Sequence, residues 1–225
     1  MAITALIEPR VFNDCPTSTL LSGNSYPTSV YISDTIDAAC VGFSNLHIWT
    51  LSTNGSSSKL YANNSSFSIS ADVTISGTCD GQGGLKISPW WSNSDGLFSL
   101  NSSTGEIACY GGRLPFYSFT ISNSITYTKG TTVNLKIIYR PHSLTSGDPA
   151  TMEYIYNNGT GYTSGPLPFD EGNPAEGYGS WGILNDATVG AFEMVFIQGS
   201  TQNLYTSWNN IVYTELNNSS MFLMF

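Results

Sequence analysis

The side chains able to do chemistry in this chain are few and widely spaced. There are two histidines, His47 and His142, so a nucleophile activated by a neighbouring imidazole has only two places to be. Retaining hydrolysis of a glycosidic bond takes two carboxyls about 5 Å apart, most simply at i, i+2 or i, i+4 on one strand, where both point the same way. Glu106, Glu153, Glu193 and Glu215 each stand alone in their segments. The glycine pairs at 83–84 and 111–112 lie between apolar runs and do not form a phosphate-cradling loop. The expectation from these absences is that the chain is not an enzyme.

Two groups of residues suit binding instead. Trp90, Trp91, Tyr110 and Tyr117 offer aromatic faces on which the C–H face of a sugar can pack, and Arg113, beside Gly112 and Leu114, can orient a polar ligand with its planar donors. If residues 90 and 91 are extended, the two tryptophans point to opposite faces, so one of them belongs to a core. The competing reading of all five is core aromatics plus an arginine that fixes a loop. In FDEGNPAEGYG, Asp170, Glu171, Asn173 and Glu176 gather oxygens of the kind Ca²⁺ takes, roughly six to eight at a time. The spacing is not that of an EF-hand, and Pro174 with its glycines suits an ordinary exposed loop. No cofactor is expected, and Ca²⁺ at this loop is the one metal alternative.

Cys15, Cys40, Cys79 and Cys109 have neither Cys-x-x-Cys nor zinc-ligand spacing. They read as free thiols acting as small hydrophobes, with a Cys79–Cys109 pair as the alternative. The Asn-x-Ser/Thr triplets at Asn54, Asn63, Asn64, Asn101, Asn158, Asn217 and Asn218 arise by chance in so Asn- and Ser-rich a chain.

What must position these residues is β-structure. Charged residues make up 10% of the 225, against about 25% in ordinary soluble domains, and the 13 Tyr, 11 Phe and 5 Trp favour pleated, half-buried surfaces. In FSISADVTI, Phe67, Ile69, Ala71, Val73 and Ile75 share one face; in TVNLKIIY, Val133, Leu135 and Ile137 do the same. Further strands are expected at Ile48–Leu51, Leu85–Ile87, Leu97–Leu100, Ile107–Tyr110, Phe116–Phe119, Met152–Tyr156, Gly179–Leu184, Phe192–Gln198 and Trp208–Glu215, with an Asn-Asn-Gly hairpin turn at 157–159. The spacing, without a convincing helix, predicts an all-β, two-sheet antiparallel jelly-roll sandwich of about twelve strands. Residues 1–45 read as an irregular N-terminal arm or edge layer with short strands at Ile3–Ile7 and Val30–Ile32 and one helical turn at Asp34–Ala39. The sandwich then occupies 46–216, and 217–225 form an apolar C-terminal tail.

The net charge of −9 and the dispersal of the seven basic residues exclude the clustered cationic footprint that nucleic acid needs. No apolar run approaches the ~20 residues of a membrane span. The N-terminus lacks the basic and continuously apolar regions of a secretory signal.

From about Phe67 to Leu216 the order of features resembles concanavalin A-like lectin/glucanase (laminin-G-like) sandwiches, in FSISADVTI, GGLKISPWW, DGLFSLNSSTGEI, YGGRLPFYSF, YTKGTTVNLKIIY, YTSGPLPFDEGNPAEGYGSWGILND and WNNIVYTEL. GGRLPFYSF and GSWGILND are similar to lectin-like domains encoded by tailed bacteriophages. The Glu-x-Asp-x-x-Glu run of the sandwich glucanases is absent, as are the Arg-x-Glu-x-Arg and Gln-x-His motifs of the lyase type. The resemblance implies a bacteriophage virion structural protein, a capsid decoration (cement) protein or a small fibre or baseplate component, located on the virion and made in the host cytoplasm. Its partners would be other virion proteins and further copies of itself, a trimer being one fitting symmetry, with Met221, Phe222, Leu223, Met224 and Phe225 as contact residues. The alternative is a carbohydrate-binding, receptor-recognition module for host surface glycans.

Overall fold

The alternation in FSISADVTI decides how the middle of the molecule is built. In a computed structural model, which describes residues 2–88 and 96–216, this segment is β5 (Phe67–Gly77), and its five apolar residues at alternate positions are wholly buried. They meet their counterparts on β10 (Thr132–Arg140) in register, Phe67 opposite Tyr139, Ile69 opposite Ile137, Ala71 opposite Leu135 and Val73 opposite Val133. Each buried Val, Leu, Ile or Phe among them contributes about 1.5–3 kcal/mol, so a one-residue slip, which would turn all of them outward, is strongly disfavoured.

Among the described residues there are two antiparallel sheets of seven strands each, a jelly-roll sandwich as expected. The remaining strands are β1 (Thr4–Asn13), β2 (Thr19–Ser25), β3 (Ser29–Ile36), β4 (Ser44–Ser52), β6 (Gly81–Ser88), β7 (Leu97–Asn101), β8 (Ile107–Tyr110), β9 (Tyr117–Ser118), β11 (Thr151–Asn157), β12 (Gly161–Pro168), β13 (Thr188–Phe196) and β14 (Gln202–Glu215). One sheet runs β1-β4-β13-β6-β7-β8-β9, the other β12-β11-β10-β5-β14-β3-β2. Trp49 of β4 and Trp208 of β14 meet edge to face between the sheets, ring centroids 6.0 Å apart. The Trp208 indole N–H donates to Gly84 O at 3.0 Å. At Gly84 a Cβ would lie 1.9 Å from Phe98 O, so only glycine lets β6 and β7 approach there.

Several expectations need correction. Residues 1–45 form an edge layer with strands at the two expected places, but they are not an irregular arm: β1 forms the edge of one sheet and β2 and β3 the edge of the other. Their pattern was obscured by a bulge in β1 between Glu8 and Phe12, with Arg10 at φ 58°, and by the mostly exposed, largely polar character of the edge strand β2. Asp34 belongs to β3, not to a helical turn. The segment 179–184 is not a strand; Trp181 bonds instead to the loop residues Leu144 and Ala150. The strand expected at 116–119 stops after Ser118, whose hydroxyl accepts from Ile121 N and caps a short helix, α1 (Phe119–Asn123). Cys15 and Cys40 are joined in a disulfide, contrary to the expectation of free thiols, while Cys79 and Cys109 are buried and unbridged. Burial raises both of these thiols, Cys79 to about 11.

Candidate functional site

Among the described residues, those singled out from the sequence do not converge on one site, although Arg113 and Glu171 meet. Trp90 and Trp91 lie outside the described residues, as do Met221, Phe222, Leu223, Met224 and Phe225. The Tyr110 hydroxyl donates to Gln82 Oε1 at 2.8 Å on the outer face of β8, beside an opening of about 10 Å³, no larger than a single water needs. The Tyr117 ring packs on Phe119 at 4.8 Å, and its hydroxyl donates to Asn123 Oδ1. Arg113 forms an ion pair with Glu171 and so ties two loops together. Asp170 is exposed and Asn173 is buried. Glu176 accepts from Asn63 Nδ2 at 3.2 Å and from Asn185 N at 3.1 Å. Among the described residues no group of three or more His, Cys, Asp or Glu is placed to hold a metal ion.

A different set does come together. The connection between β4 and β5 carries Lys59 and Tyr61; the end of β14 carries Tyr213 and Glu215. Both pairs are spaced i, i+2, which in extended chain puts both side chains on one face. What aims the second pair is a bulge in β14 between Asn209 and Val212, where Asn210 takes φ 50°. Before it Trp208 faces the core; after it Ile211 and Tyr213 do, while Val212 is 55% exposed. Without the extra residue Tyr213 would point to solvent.

Together with Leu60, Asn64, Ser65, Ser66 and Leu216, these four line a pocket of about 310 Å³ at one end of the sandwich, the lower limit of ordinary ligand pockets. Its floor is continuous with the core: Tyr61 packs on Phe67 at 5.0 Å and on Tyr213 at 5.8 Å, and Phe67 packs on Tyr139. The Lys59 ammonium lies 4.9 Å from the centroids of both Tyr61 and Tyr213, a double cation–π arrangement. It also donates to the Tyr213 hydroxyl at 3.3 Å and forms an ion pair with Glu215 Oε1.

The electrostatics fix each group in one state. Burial works against the Lys59 charge, but the hydrogen bonds to Glu215 and Tyr213 outweigh it and hold the ammonium above its ordinary value. The hydrogen bond and charge of Lys59 hold Glu215 below the usual carboxylate range. Burial raises the phenols of Tyr61 and Tyr213, reinforced for Tyr61 by its neighbours Tyr213 and Glu215. The pocket thus presents permanent donors beside a permanent acceptor, which suits the orientation of a polyhydroxylated ligand. The sequence carried the signal, the paired spacings KLY and YTE, but nothing in it says that the two are neighbours.

No family model and no curated protein sequence matches the chain. Solved structures similar to it include an alginate lyase from Alteromonas sp. 272 (9% identity, TM-score 0.47, 95% of each chain covered). They also include a PL-14 alginate lyase from Aplysia kurodai (8% identity, TM-score 0.47, 96% of this chain and 98% of the other). A third is a lectin from Bauhinia forficata in complex with GalNAc (13% identity, TM-score 0.40, 95% and 100%). No residue correspondence follows at these identities. The expectation that the chain is not an enzyme is nevertheless overturned, since similar sandwiches found alongside it are lyases. The sequence motifs of one catalytic arrangement, absent here, do not decide the matter for the fold.

Proposed function

We propose that the chain is a carbohydrate-binding module and that its sugar site is the pocket of Lys59, Tyr61, Tyr213 and Glu215. The observation that carries this is the pocket itself, in which two aromatic rings, a fixed cation and a fixed anion surround a ligand-sized space on a rigid floor. The order of the two functions expected from the sequence is thereby reversed, with glycan recognition first. A glycan array probed with the intact chain tests it. Binding to a subset of glycans is expected, weakened at least about tenfold, or roughly 1.4 kcal/mol, by Tyr213→Ala and unchanged by Tyr110→Phe. Binding that survives Tyr213→Ala and is lost with Tyr110→Phe would move the site to the outer face of β8.

A second reading, that the module is a structural component of a bacteriophage virion acting through subunit contacts, has its own support. The segments GGRLPFYSF and GSWGILND resemble phage-encoded sandwiches, and several large apolar side chains are exposed, Val41 at 83% and Phe43 at 70% among them. Where such side chains form one contiguous patch they mark a protein contact. A mass-spectrometric inventory of purified phage particles tests it. The two readings are compatible, since a particle component can adhere to host glycans.

A further inference from the structure

We infer that the sugar taken by this pocket is uncharged, a neutral saccharide rather than a uronate. The inference deepens the carbohydrate reading and rests on it. Every formal charge in the pocket is already matched from within. The Lys59 ammonium, its side chain only 19% exposed, is shared between Glu215, the Tyr213 hydroxyl and the faces of two rings. A ligand carboxylate would have to displace Glu215 from it or lie against Glu215 as a like charge. The net charge of −9 adds to that repulsion at longer range.

What the pocket leaves open is neutral in kind. The Tyr61 residue is 2% exposed, and its buried hydroxyl makes no well-formed hydrogen bond, with only the Tyr213 hydroxyl beside it. A buried polar group in that position is costly until something accepts from it. The Glu215 carboxylate, its side chain 68% exposed, takes Lys59 and the Tyr213 hydroxyl on Oε1, which leaves Oε2 with acceptor capacity. Asn64, Ser65 and Ser66 complete the lining, the Ser66 hydroxyl being already engaged with Tyr139 O at 3.1 Å. An acceptor for Tyr61, donors for Glu215 and no charge are together the description of a neutral sugar.

The test is titration calorimetry of the full chain at roughly 0.15 M salt, where the screening length of about 8 Å confines charge effects to the pocket. The probes are neutral gluco- and galacto-oligosaccharides and the matching oligouronates. Neutral sugars are expected to bind at least about tenfold tighter than uronates. Glu215→Gln, which releases the Lys59 charge, should narrow or invert that ratio. Tyr61→Phe should weaken neutral-sugar binding several-fold with little change in the melting temperature, because the hydroxyl it removes makes no well-formed hydrogen bond in the free protein. Uronates binding as tightly as neutral sugars to the natural chain, or Tyr61→Phe leaving affinity unchanged, would overturn the inference while the carbohydrate reading stands. If saccharides of neither class bind, that reading fails and takes the inference with it.

Discussion

Glu193 lies opposite His47 across the β4–β13 pair, between the sheets, fully buried and with neither carboxyl oxygen hydrogen-bonded. Its neighbour Asp34 is treated quite differently. One of its oxygens accepts from His47 Nε2 at 3.0 Å and from Asn45 Nδ2 at 2.8 Å. The Arg10 backbone N–H donates to His47 Nδ1, which leaves Nε2 as the nitrogen that carries the proton toward Asp34. Burial opposes the Asp34 charge, but the hydrogen bonds from His47, Asn45 and Ser18 outweigh it and hold the carboxyl below its ordinary range. For Glu193 burial dominates: opposed by Thr206 and reinforced by the Asp34 charge, it pushes the carboxyl well above the usual value.

The two carboxyls therefore have opposite pH signatures. Folded Glu193 holds its proton more tightly than the unfolded chain, so it costs nothing extra below the ordinary Glu value of about 4.3 and destabilises increasingly as pH rises above it. Asp34 contributes stability above the ordinary Asp value of about 3.9 and loses it as pH falls through its lower folded value. Relative to Glu193→Gln, the natural chain should lose up to about 1.4 kcal/mol per pH unit as pH rises through this window. Urea midpoints of both proteins from mildly acidic to neutral pH measure it; parallel curves would contradict the assignment. None of this was readable from the sequence, because Glu193 looked like any solitary carboxylate until the register placed it facing inward.

At the scale of elements, legibility followed regularity. The faces of β5 and β10 were read correctly because their alternation is unbroken and a buried partner enforces it. The strands that were missed or misjudged are those where a bulge or an edge position breaks the pattern. β1 is interrupted at Arg10, β2 is an edge strand of polar residues, and β14 changes face at Asn209–Asn210. The last of these matters most, because it turns Tyr213 and Glu215 into the pocket. Asn tolerates the left-handed conformation far better than a β-branched residue, and its side chain also donates to Asp72 Oδ2 at 2.8 Å. Asn210→Val should cost about 1–3 kcal/mol and abolish glycan binding, while Asn210→Gly should lose less stability and keep binding. Denaturant unfolding and calorimetry on the two variants check this. Equal stability would mean that the bulge does not depend on residue 210.

On the scale of the whole molecule, the sandwich was legible because short aromatic runs punctuated by turn residues admit few other architectures. The site was not, since it is made where two segments remote in sequence meet at one end of the sheets. The Cys15–Cys40 disulfide belongs to the same scale. It spans a sequence separation of 25, joins the segment after β1 to the one after β3, and lies beside the buried Asn45–Asp34–His47 group, for Asn45 Oδ1 accepts from Cys15 N at 2.9 Å. Loop closure of that length stabilises by about 3 kcal/mol, so Cys15→Ser with Cys40→Ser should lower stability by that order in urea. Reductant should do the same to the natural chain, and insensitivity to reductant would contradict the bond. Disulfides persist in oxidising surroundings.

The decisive observation is where a glycan touches the protein. Backbone amide NMR of the labelled chain, titrated with a neutral oligosaccharide that binds, should shift resonances at 59–66 and 213–216 and leave those of Gln82, Ser99 and Tyr110 in place. Shifts confined to the outer face of β6, β7 and β8, with the Lys59–Tyr213 pocket silent, would contradict the assignment of the site.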